Sequence, residues 1–242
     1  MMSNESTIIS MPRKFVITDI HGCASTFQKL VVEELQLRTD DELYLLGDYI
    51  DRGIDSKGVI DFIFDLRDSG HHVHCLRGNH EEFLLLAKDN LREFQHWVVH
   101  NGGDTTLKSF GVETVKGIPE QYLRFFSDLP YYLEVDNFLL VHAGFNFNSH
   151  APFEDKEAMI MIRNFKIDYD ILAGRKIIHG HTPTRLAQIR ANLEDSNAVE
   201  FNLDAGCVYH NVPDLNHMVA LELNEWKLTT IPCVDEKSAE EI

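Results

Sequence analysis

The sequence is poor in cysteine and in basic residues, and it contains no long hydrophobic run. Its 4 cysteines stand far apart and form no Cys-x-x-Cys pair. This spacing suggests neither a zinc knuckle nor a disulfide framework, and it favours reduced thiols in a cytoplasmic protein. The chain has 22 basic and 39 acidic residues, for a formal net charge of -17. Because such a surface repels polyanions, we expect no broad electrostatic binding of nucleic acid.

Membrane and targeting signals are also missing from the sequence. No apolar stretch reaches the length of a membrane span, and the N-terminal residues lack the basic and apolar segments of a signal peptide. We therefore expect a cytoplasmic protein without a membrane partner. No linker, repeat or low-complexity tract divides the chain. The prediction is a flexible tail over residues 1–12, a single domain over 13–234 and a frayed acidic tail over 235–242.

Three strand–loop–helix units follow one another in the first part of the chain. Strands are predicted over Lys14–Thr18, Glu42–Leu46 and Val73–Leu76, and a helical pattern follows each of them. The polar loops after these strands recur at intervals of about 30 residues, which is the length of a βαβ unit. Because the carboxyl ends of parallel strands share one edge of a sheet, these loops are predicted to form one composite site.

The second half of the chain delivers further polar loops. Additional strands are predicted over Tyr131–Val135, Phe138–Val141, Arg175–Ile178, Val199–Leu203, His217–Leu223 and Trp226–Ile231. His142 follows the second of these strands, and His181 follows the third. A helix predicted over Glu154–Asn164 carries Arg163. Residues 94–110 are less regular, with a candidate helix around His96–His100 and a turn at 101–104 before a short amphipathic segment.

The loops together supply a set of candidate metal ligands. They are Asp19, His21, Asp48, Asn79, His142 and His181. Mixed oxygen and nitrogen donors suit Mn, Fe or Zn better than calcium, and six ligands suit two ions that share a bridging carboxylate and water. Each fragment alone is weak, because a helix-capping loop or an ordinary surface or core histidine is the commoner explanation of it. Five fragments in consistent positions after predicted strands make coincidence improbable.

Several motifs in these loops resemble those of the calcineurin-like metallophosphoesterase superfamily. They are DIHG at 19–22, GDYIDRG at 47–53, RGNHE at 77–81, VHAG at 141–144 and GHTPT at 180–184. The resemblance is greatest to the phosphoprotein phosphatase family and its bacterial members, including the symmetrical diadenosine tetraphosphatases. It extends from about residue 13 to residue 231. It implies an α/β fold, a four-layer α/β/β/α sandwich of two mixed β-sheets flanked by helices.

The resemblance also implies roles for individual residues. One divalent metal ion would be bound by Asp19, His21 and bridging Asp48, and a second by Asp48, Asn79, His142 and His181. Manganese is the expected metal, with iron or zinc as alternatives. His80 is implied as the general acid and Asp51 as the residue that orients it. Arg52 and Arg163 are implied as phosphate-binding residues.

The resemblance leaves several functions open. The leading expectation is a serine/threonine protein phosphatase type of enzyme, which hydrolyses phosphomonoesters of a protein or peptide by in-line attack of a metal-bridging hydroxide. The alternative is symmetrical hydrolysis of dinucleoside tetraphosphates. A nuclease or cyclic-nucleotide phosphodiesterase is disfavoured, because Pro183 stands where those relatives have a further histidine and Glu81 where they have aspartate. A non-catalytic metal-binding module is disfavoured because no ligand is missing.

A few residues are assigned no function at this level. Cys23 is predicted to be a packed thiol, since a metal-activated water makes a cysteine nucleophile unnecessary. His71, His72 and His74 are predicted to be turn or surface residues. For His96, Trp97 and His100, the sequence favours equally a place in the substrate cleft and ordinary packing.

Overall fold

Two mixed β-sheets form the centre of the protein, as seen in a computed structural model that describes residues 11–236. The strands, numbered in chain order, are β1 (Lys14–Ile17), β2 (Glu42–Leu45), β3 (His72–Cys75), β4 (Tyr132–Val135), β5 (Phe138–Val141), β6 (Lys176–His179), β7 (Glu200–Asn202), β8 (His217–Glu222) and β9 (Lys227–Pro232). One sheet has the order β3-β2-β1-β8-β9 and the other β4-β5-β6-β7. β1, β2 and β3 run parallel, as do β5, β6 and β7. Their carboxyl ends carry the polar loops.

Helices cover the outer faces of both sheets. They are α1 (Ala24–Lys29), α2 (Ser56–Asp68), α3 (Asn79–Ala87), α4 (Leu91–His100), α5 (Gly103–Phe110), α6 (Glu120–Asp128), α7 (Lys156–Met161), α8 (Tyr169–Leu172) and α9 (Leu186–Glu194). A π-helix over Leu30–Glu34 continues α1, and a 3₁₀ turn spans Val115–Gly117. Within residues 11–236, none of these helices combines the length and the apolar character needed to cross a membrane.

The strands are apolar on both faces, and each face packs against a different layer. Phe15 and Ile17 of β1 join the core beneath α1 and α2, whereas Val16 faces the second sheet. In β5, Leu140 faces the first sheet, whereas Leu139 and Val141 join the core on the far side. Since neighbouring strand residues point to opposite faces, this alternation requires a layer on each side of each sheet. The predicted four-layer sandwich is therefore confirmed.

The predicted strands agree with the structure to within one or two residues at each end, but two helical regions differ. The helix predicted over Glu154–Asn164 is shorter, because Ile162 adopts an extended conformation with ψ 133° and ends α7 at Met161. Arg163 therefore lies in the loop after the helix. Residues 94–110, where the sequence pattern is less regular, hold most of α4 and all of α5. The side chain of Asn90 caps α4 by accepting hydrogen bonds from the backbone N–H groups of Arg92 and Glu93.

Candidate metal centre and active site

The six predicted metal ligands meet where the strands of both sheets end. Asp19 and His21 follow β1, Asp48 follows β2 and Asn79 begins α3, while the remaining two histidines follow β5 and β6. Every one of these side chains is buried, with exposed fractions between 0 and 8%. Polar groups hidden from water need partners. The loops therefore form a polar cluster within an otherwise apolar core.

The carboxylate of Asp48 lies between two groups of these residues. Its Oδ2 is 3.5 Å from Nε2 of His21, and its Oδ1 is 3.4 Å from Nε2 of His142. His21 hydrogen-bonds through Nδ1 to the carbonyl of Ile50 at 3.0 Å, and His142 bonds likewise to that of Leu46 at 2.9 Å. Because the Nδ1 atoms must carry the protons in these bonds, the Nε2 lone pairs face Asp48. This is the placement a bridging carboxylate requires.

A second group of donor atoms converges around Asn79. Its Oδ1 lies 2.9 Å from Nε2 of His142 and 2.8 Å from Nδ1 of His181. The two histidine nitrogens are themselves 3.2 Å apart. Since Nε2 of His142 has no proton to donate, two electron-rich atoms, this nitrogen and Oδ1 of Asn79, meet at one point beside Nδ1 of His181. A divalent cation at that point would bind all three, which is how this structure fits a metal ion.

Asp19 and His80 depart from the predicted grouping. The tightest ligand cluster on the other side of Asp48 consists of His21, Asp48 and His80, whose donor atoms lie within 4.8 Å of one another. Asp19 lies outside that cluster, and its carboxylate accepts a hydrogen bond of 3.0 Å from the backbone N–H of His181. A Cβ atom at Gly180 would lie 1.9 Å from Oδ2 of Asp19, so only glycine permits this approach.

Burial shifts the protonation equilibria of these residues strongly. Desolvation raises the pKa of Asp19 and of Asp48 well above the usual value, and the charges of Asp204 and Glu81 respectively raise them further. Desolvation also lowers the pKa of His21 and His142 well below the usual value, which keeps both rings neutral. Neutral imidazoles and crowded carboxylates form a donor set suited to divalent cations, whose charge would offset that of the acids.

His80 is held in place by a chain of buried hydrogen bonds. Its Nδ1 lies 2.7 Å from Oδ2 of Asp51. The same Asp51 carboxylate accepts a 2.7 Å hydrogen bond from Nε1 of Trp97 and a 2.6 Å bond from Oγ1 of Thr106. These donors oppose the rise in the pKa of Asp51 that burial causes. Nε2 of His80 is buried and has no hydrogen-bond partner among the described residues. It is therefore free to face a ligand.

The two predicted phosphate-binding arginines line one cavity with these residues. The cavity has a volume of about 100 Å³ and is also lined by Asp48, Asn79 and His80. Nη1 of Arg52 donates a 2.9 Å hydrogen bond to the hydroxyl of Tyr209 and lies 3.0 Å from Nε2 of His21. Arg163 is exposed at the rim. Burial and, second to it, the positive charge of Arg163 lower the pKa of His181 to about 4.

Many site residues have a strained backbone. Left-handed backbone angles, with φ between 47° and 72°, occur at Asp19, His21, Asp48, Asp51, Arg52 and His181. Residues other than glycine seldom adopt this conformation, and each instance costs on the order of 1 kcal/mol. Such strain persists only where the surrounding structure enforces it, as the buried hydrogen bonds do here.

Sequence reasoning missed several residues that support the site. The carboxylate of Glu81 accepts hydrogen bonds of 2.9 Å from the backbone N–H groups of Asp48, Tyr49 and Gly78. It thus fixes the loop that presents Asp48. The only sequence signal was the position of Glu81 directly after His80. Trp97 was predicted only to line the substrate cleft or to pack, and Thr106 gave no signal, because both reach Asp51 from other helices.

The histidines set aside at the sequence level do not join the site. His71 bonds to the carbonyl of Leu66, and His74 pairs with Glu42 at 2.6 Å. His72 is exposed, as are His96 and His100 on α4. Of the three residues around α4 that the sequence left open, Trp97 alone is buried. Its role is to hold Asp51.

Two sheets with carboxylate, imidazole and amide donors at their strand ends define a metallophosphoesterase. The chain belongs to the calcineurin-like phosphoesterase family, whose sequence profile matches residues 13–217. Members of this family use a dinuclear centre of divalent ions. The two groups of ligands that share Asp48 could hold such a pair.

Curated relatives carry the name symmetrical bis(5'-nucleosyl)-tetraphosphatase. The protein from Vibrio campbellii is 28% identical over 130 residues, which cover 54% of this chain and 44% of the relative. The protein from Nitrosospira multiformis is 35% identical over 79 residues, which cover 33% of this chain and 28% of the relative. The chain therefore spans less than half the length of the curated relatives it matches.

Solved structures share the fold across nearly the whole chain. A protein serine/threonine phosphatase from Saccharomyces cerevisiae superimposes with a TM-score of 0.67 at 13% identity, covering 95% of this chain and 82% of that one. A candidate diadenosine tetraphosphatase superimposes with a TM-score of 0.63 at 19% identity, covering 93% of this chain and 95% of that one. At these identities, the likeness shows the fold alone.

Proposed function

We propose that this protein hydrolyses phosphoesters with two divalent metal ions and that its substrates are dinucleoside polyphosphates, cleaved symmetrically. The motifs alone favour a phosphorylated protein, whereas the names of the curated relatives favour a nucleotide. Both substrate classes need the same metal centre. The walls around it must therefore distinguish them, and those walls support the nucleotide.

The observation that carries this proposal is a second cavity beside the metal centre. It has a volume of about 300 Å³ and includes Tyr131 and Lys156 in its lining. Phe83 and Met161 line both this cavity and the one that holds the metal ligands. A volume of this size lies at the lower end of the range for small-molecule sites. Phe83 supplies an aromatic surface for a base, and base–aromatic stacking contributes about 1–3 kcal/mol.

The residues around the metal centre would bind the phosphate and supply the proton that hydrolysis requires. When bound, the two divalent ions would lower the pKa of a shared water and offset the negative charge of the phosphate oxygens. Arg52 and Arg163 would bind phosphoryl oxygens in the bidentate manner that a lysine cannot reproduce. In its imidazolium form, which the Asp51 carboxylate would stabilise, His80 would donate the proton on Nε2 to the departing oxygen. Asp51, held by Trp97 and Thr106, would keep the imidazole oriented for that transfer.

Hydrolysis of phosphomonoesters, including phosphoseryl peptides, is the second candidate function. It is favoured by Arg163, whose exposed side chain at the rim of the metal cavity would accept a phosphate presented from the surface of another protein. This reaction would use the same metal ligands and the same His80. It would not require the second cavity, since a peptide lies across the surface.

A direct rate comparison tests the proposal. Purified protein with Mn²⁺ would be given diadenosine tetraphosphate, a phosphoseryl peptide and a phosphotyrosyl peptide at equal concentrations. The expected result is the highest kcat/KM on the dinucleotide, with ADP as sole nucleotide product because cleavage at the central bridge yields two identical halves. Formation of ATP and AMP would contradict symmetrical cleavage, and faster release from the phosphoseryl peptide would establish the second candidate.

The matched control for this comparison is Asp48→Asn. The substitution preserves the shape of the side chain but removes the charge that two cations would share. Activity on every substrate should fall together with metal content. If the variant kept metal-dependent activity, the assignment of the bridging ligand would be wrong.

A further inference from the structure

Three of the four cysteines meet behind the loop that carries Asp19 and His21. Cys23 immediately precedes α1, Cys207 lies in the loop between β7 and β8, and Cys233 directly follows β9. Their Sγ atoms lie within 4.8 Å of one another, and those of Cys23 and Cys233 are 3.9 Å apart. Cys23 and Cys207 are buried, Cys233 is partly buried, and all three are free thiols. We call this group the thiol cluster.

We propose that the thiol cluster binds one soft cation with a filled d shell, Zn²⁺ or Cu(I), outside the catalytic centre. Thiolates select such ions over the harder divalent cations, whereas the catalytic ligands offer only oxygen and nitrogen. A zinc–sulfur bond of about 2.3 Å in a tetrahedral site sets sulfur–sulfur separations of roughly 3.8 Å. The 3.9 Å between the Sγ atoms of Cys23 and Cys233 is close to that separation, and Sγ of Cys207 lies within 4.8 Å of both.

Hydrogen bonds to the start of α1 fix the segment that carries Cys233. Oγ1 of Thr26 donates a hydrogen bond of 2.5 Å to Oδ2 of Asp235, accepts one of 2.9 Å from the backbone N–H of Val234 and lies 3.5 Å from Sγ of Cys233. Asp235 is fixed by the backbone N–H groups of Ser25 and Thr26, each at 2.9 Å. Its Oδ2 lies 3.9 Å from Sγ of Cys233. The carboxylate of Asp235 is thus engaged by residues 25 and 26, and the ligands that the described residues supply are the three sulfurs.

Binding of the cation transfers no electrons. Each of the three thiols releases one proton to solvent as its sulfur bonds to the ion, so uptake of metal is coupled to proton release. A disulfide would be a different outcome. It would require an oxidant and a sulfur–sulfur distance of about 2.05 Å, and it would leave one of the three thiols without a partner. A bound cation engages all three.

The experiment uses the full chain, reduced and freed of metal, titrated with Cd²⁺ without oxygen. Cadmium bound to thiolates produces sulfur-to-metal charge-transfer absorption in the ultraviolet, and oxygen or nitrogen ligands do not. We expect this band to saturate at one Cd²⁺ per chain. Cys233→Ser should weaken that binding by at least about tenfold, since loss of a supporting residue alone costs as much. Cys75→Ser is the matched control, because Cys75 is also buried but lies apart on β3.

Competition then identifies the cation. The chain is first loaded with Zn²⁺ or with Cu(I) and then titrated with Cd²⁺, and the ion that raises the Cd²⁺ concentration for half-saturation of the cadmium band by the larger factor is the preferred one. The proposal is overturned if the wild type shows no band, or if Cys233→Ser and Cys75→Ser bind Cd²⁺ alike. A mass measurement that finds a disulfide in protein purified without reductant would overturn it as well. Because Cys233 is partly buried at a strand end, its serine variant is expected to fold even if Cys207→Ser does not.

Discussion

His80→Asn is the substitution that tests the proposed general acid most directly. The amide of asparagine can occupy the place of Nδ1 and keep a hydrogen bond to Asp51, which lies 2.7 Å from that atom in the wild type. What disappears is Nε2, the buried nitrogen without a partner among the described residues. The variant should therefore fold and bind metal, because no proposed metal ligand changes.

The expected loss depends on the leaving group. Proton donation by a positioned side chain contributes roughly 10²–10⁴-fold, which is about 3–5 kcal/mol of transition-state free energy. An alkyl phosphate, whose leaving oxygen needs a proton, should lose most of this rate. With p-nitrophenyl phosphate the leaving oxygen departs as a stable anion, and the loss should be less than about tenfold.

The assay compares kcat/KM for both substrates in the wild type and in His80→Asn, alongside metal content and the thermal midpoint. The ratio of the two losses is the informative quantity, since it cancels any general damage to the site. Equal losses on both substrates would show that His80 positions or ligates metal, as its place beside His21 and Asp48 would allow. Full activity on the alkyl phosphate would refute the role of His80 altogether.

Other substitutions test neighbouring parts of the site. Gly180→Ala should lower manganese affinity by at least about tenfold in a calorimetric titration. The added Cβ would lie 1.9 Å from Oδ2 of Asp19 and would push that carboxylate away. Burial raises the pKa of Asp204 to about 6, against about 4 in an unfolded chain. The folded state then binds more protons, so the free energy of unfolding of metal-free protein should fall as pH rises from about 4 to about 6. Asp204→Asn should flatten that trend in urea titrations at several pH values, and an unchanged slope would contradict it. Phe83→Ala should reduce kcat/KM for diadenosine tetraphosphate by about tenfold or more while sparing p-nitrophenyl phosphate. An equal loss of kcat/KM on both substrates would show that the base does not bind in the second cavity. Arg52→Lys should lower kcat/KM on every substrate by roughly tenfold to a hundredfold, since a lysine loses the bidentate contact; a normal rate would exclude a phosphate contact.

Local patterns in the sequence predict most of the fold. Short apolar runs place β1, β2 and β3 to within one or two residues, and the polar residues after each strand belong to the site region. These signals are local, because each strand needs only its own side chains to show its two buried faces. The end of α7 was missed since nothing in the sequence around Ile162 forbids a helix.

Long-range contacts were beyond the reach of the sequence. Trp97 bonds to Asp51 across 46 residues, and Thr106 does so across 55. No short motif joins such pairs, so their part in holding His80 appears only in three dimensions. The cysteines show the same limit. Their wide spacing argued against any common site, and Cys23 was interpreted as a packed thiol, yet the fold brings it to within 3.9 Å of Cys233.

The left-handed residues of the site have a consequence for how this protein tolerates mutation. Glycine at Asp19, His21 or Asp48 would relax a backbone held at a φ of about 50°, and relaxation of this kind commonly stabilises a fold. Each such change would also delete a proposed metal ligand. Selection for thermal stability alone should therefore enrich glycine at these positions, whereas selection for catalysis should remove it. A deep mutational scan under the two selections would locate the active site without any substrate.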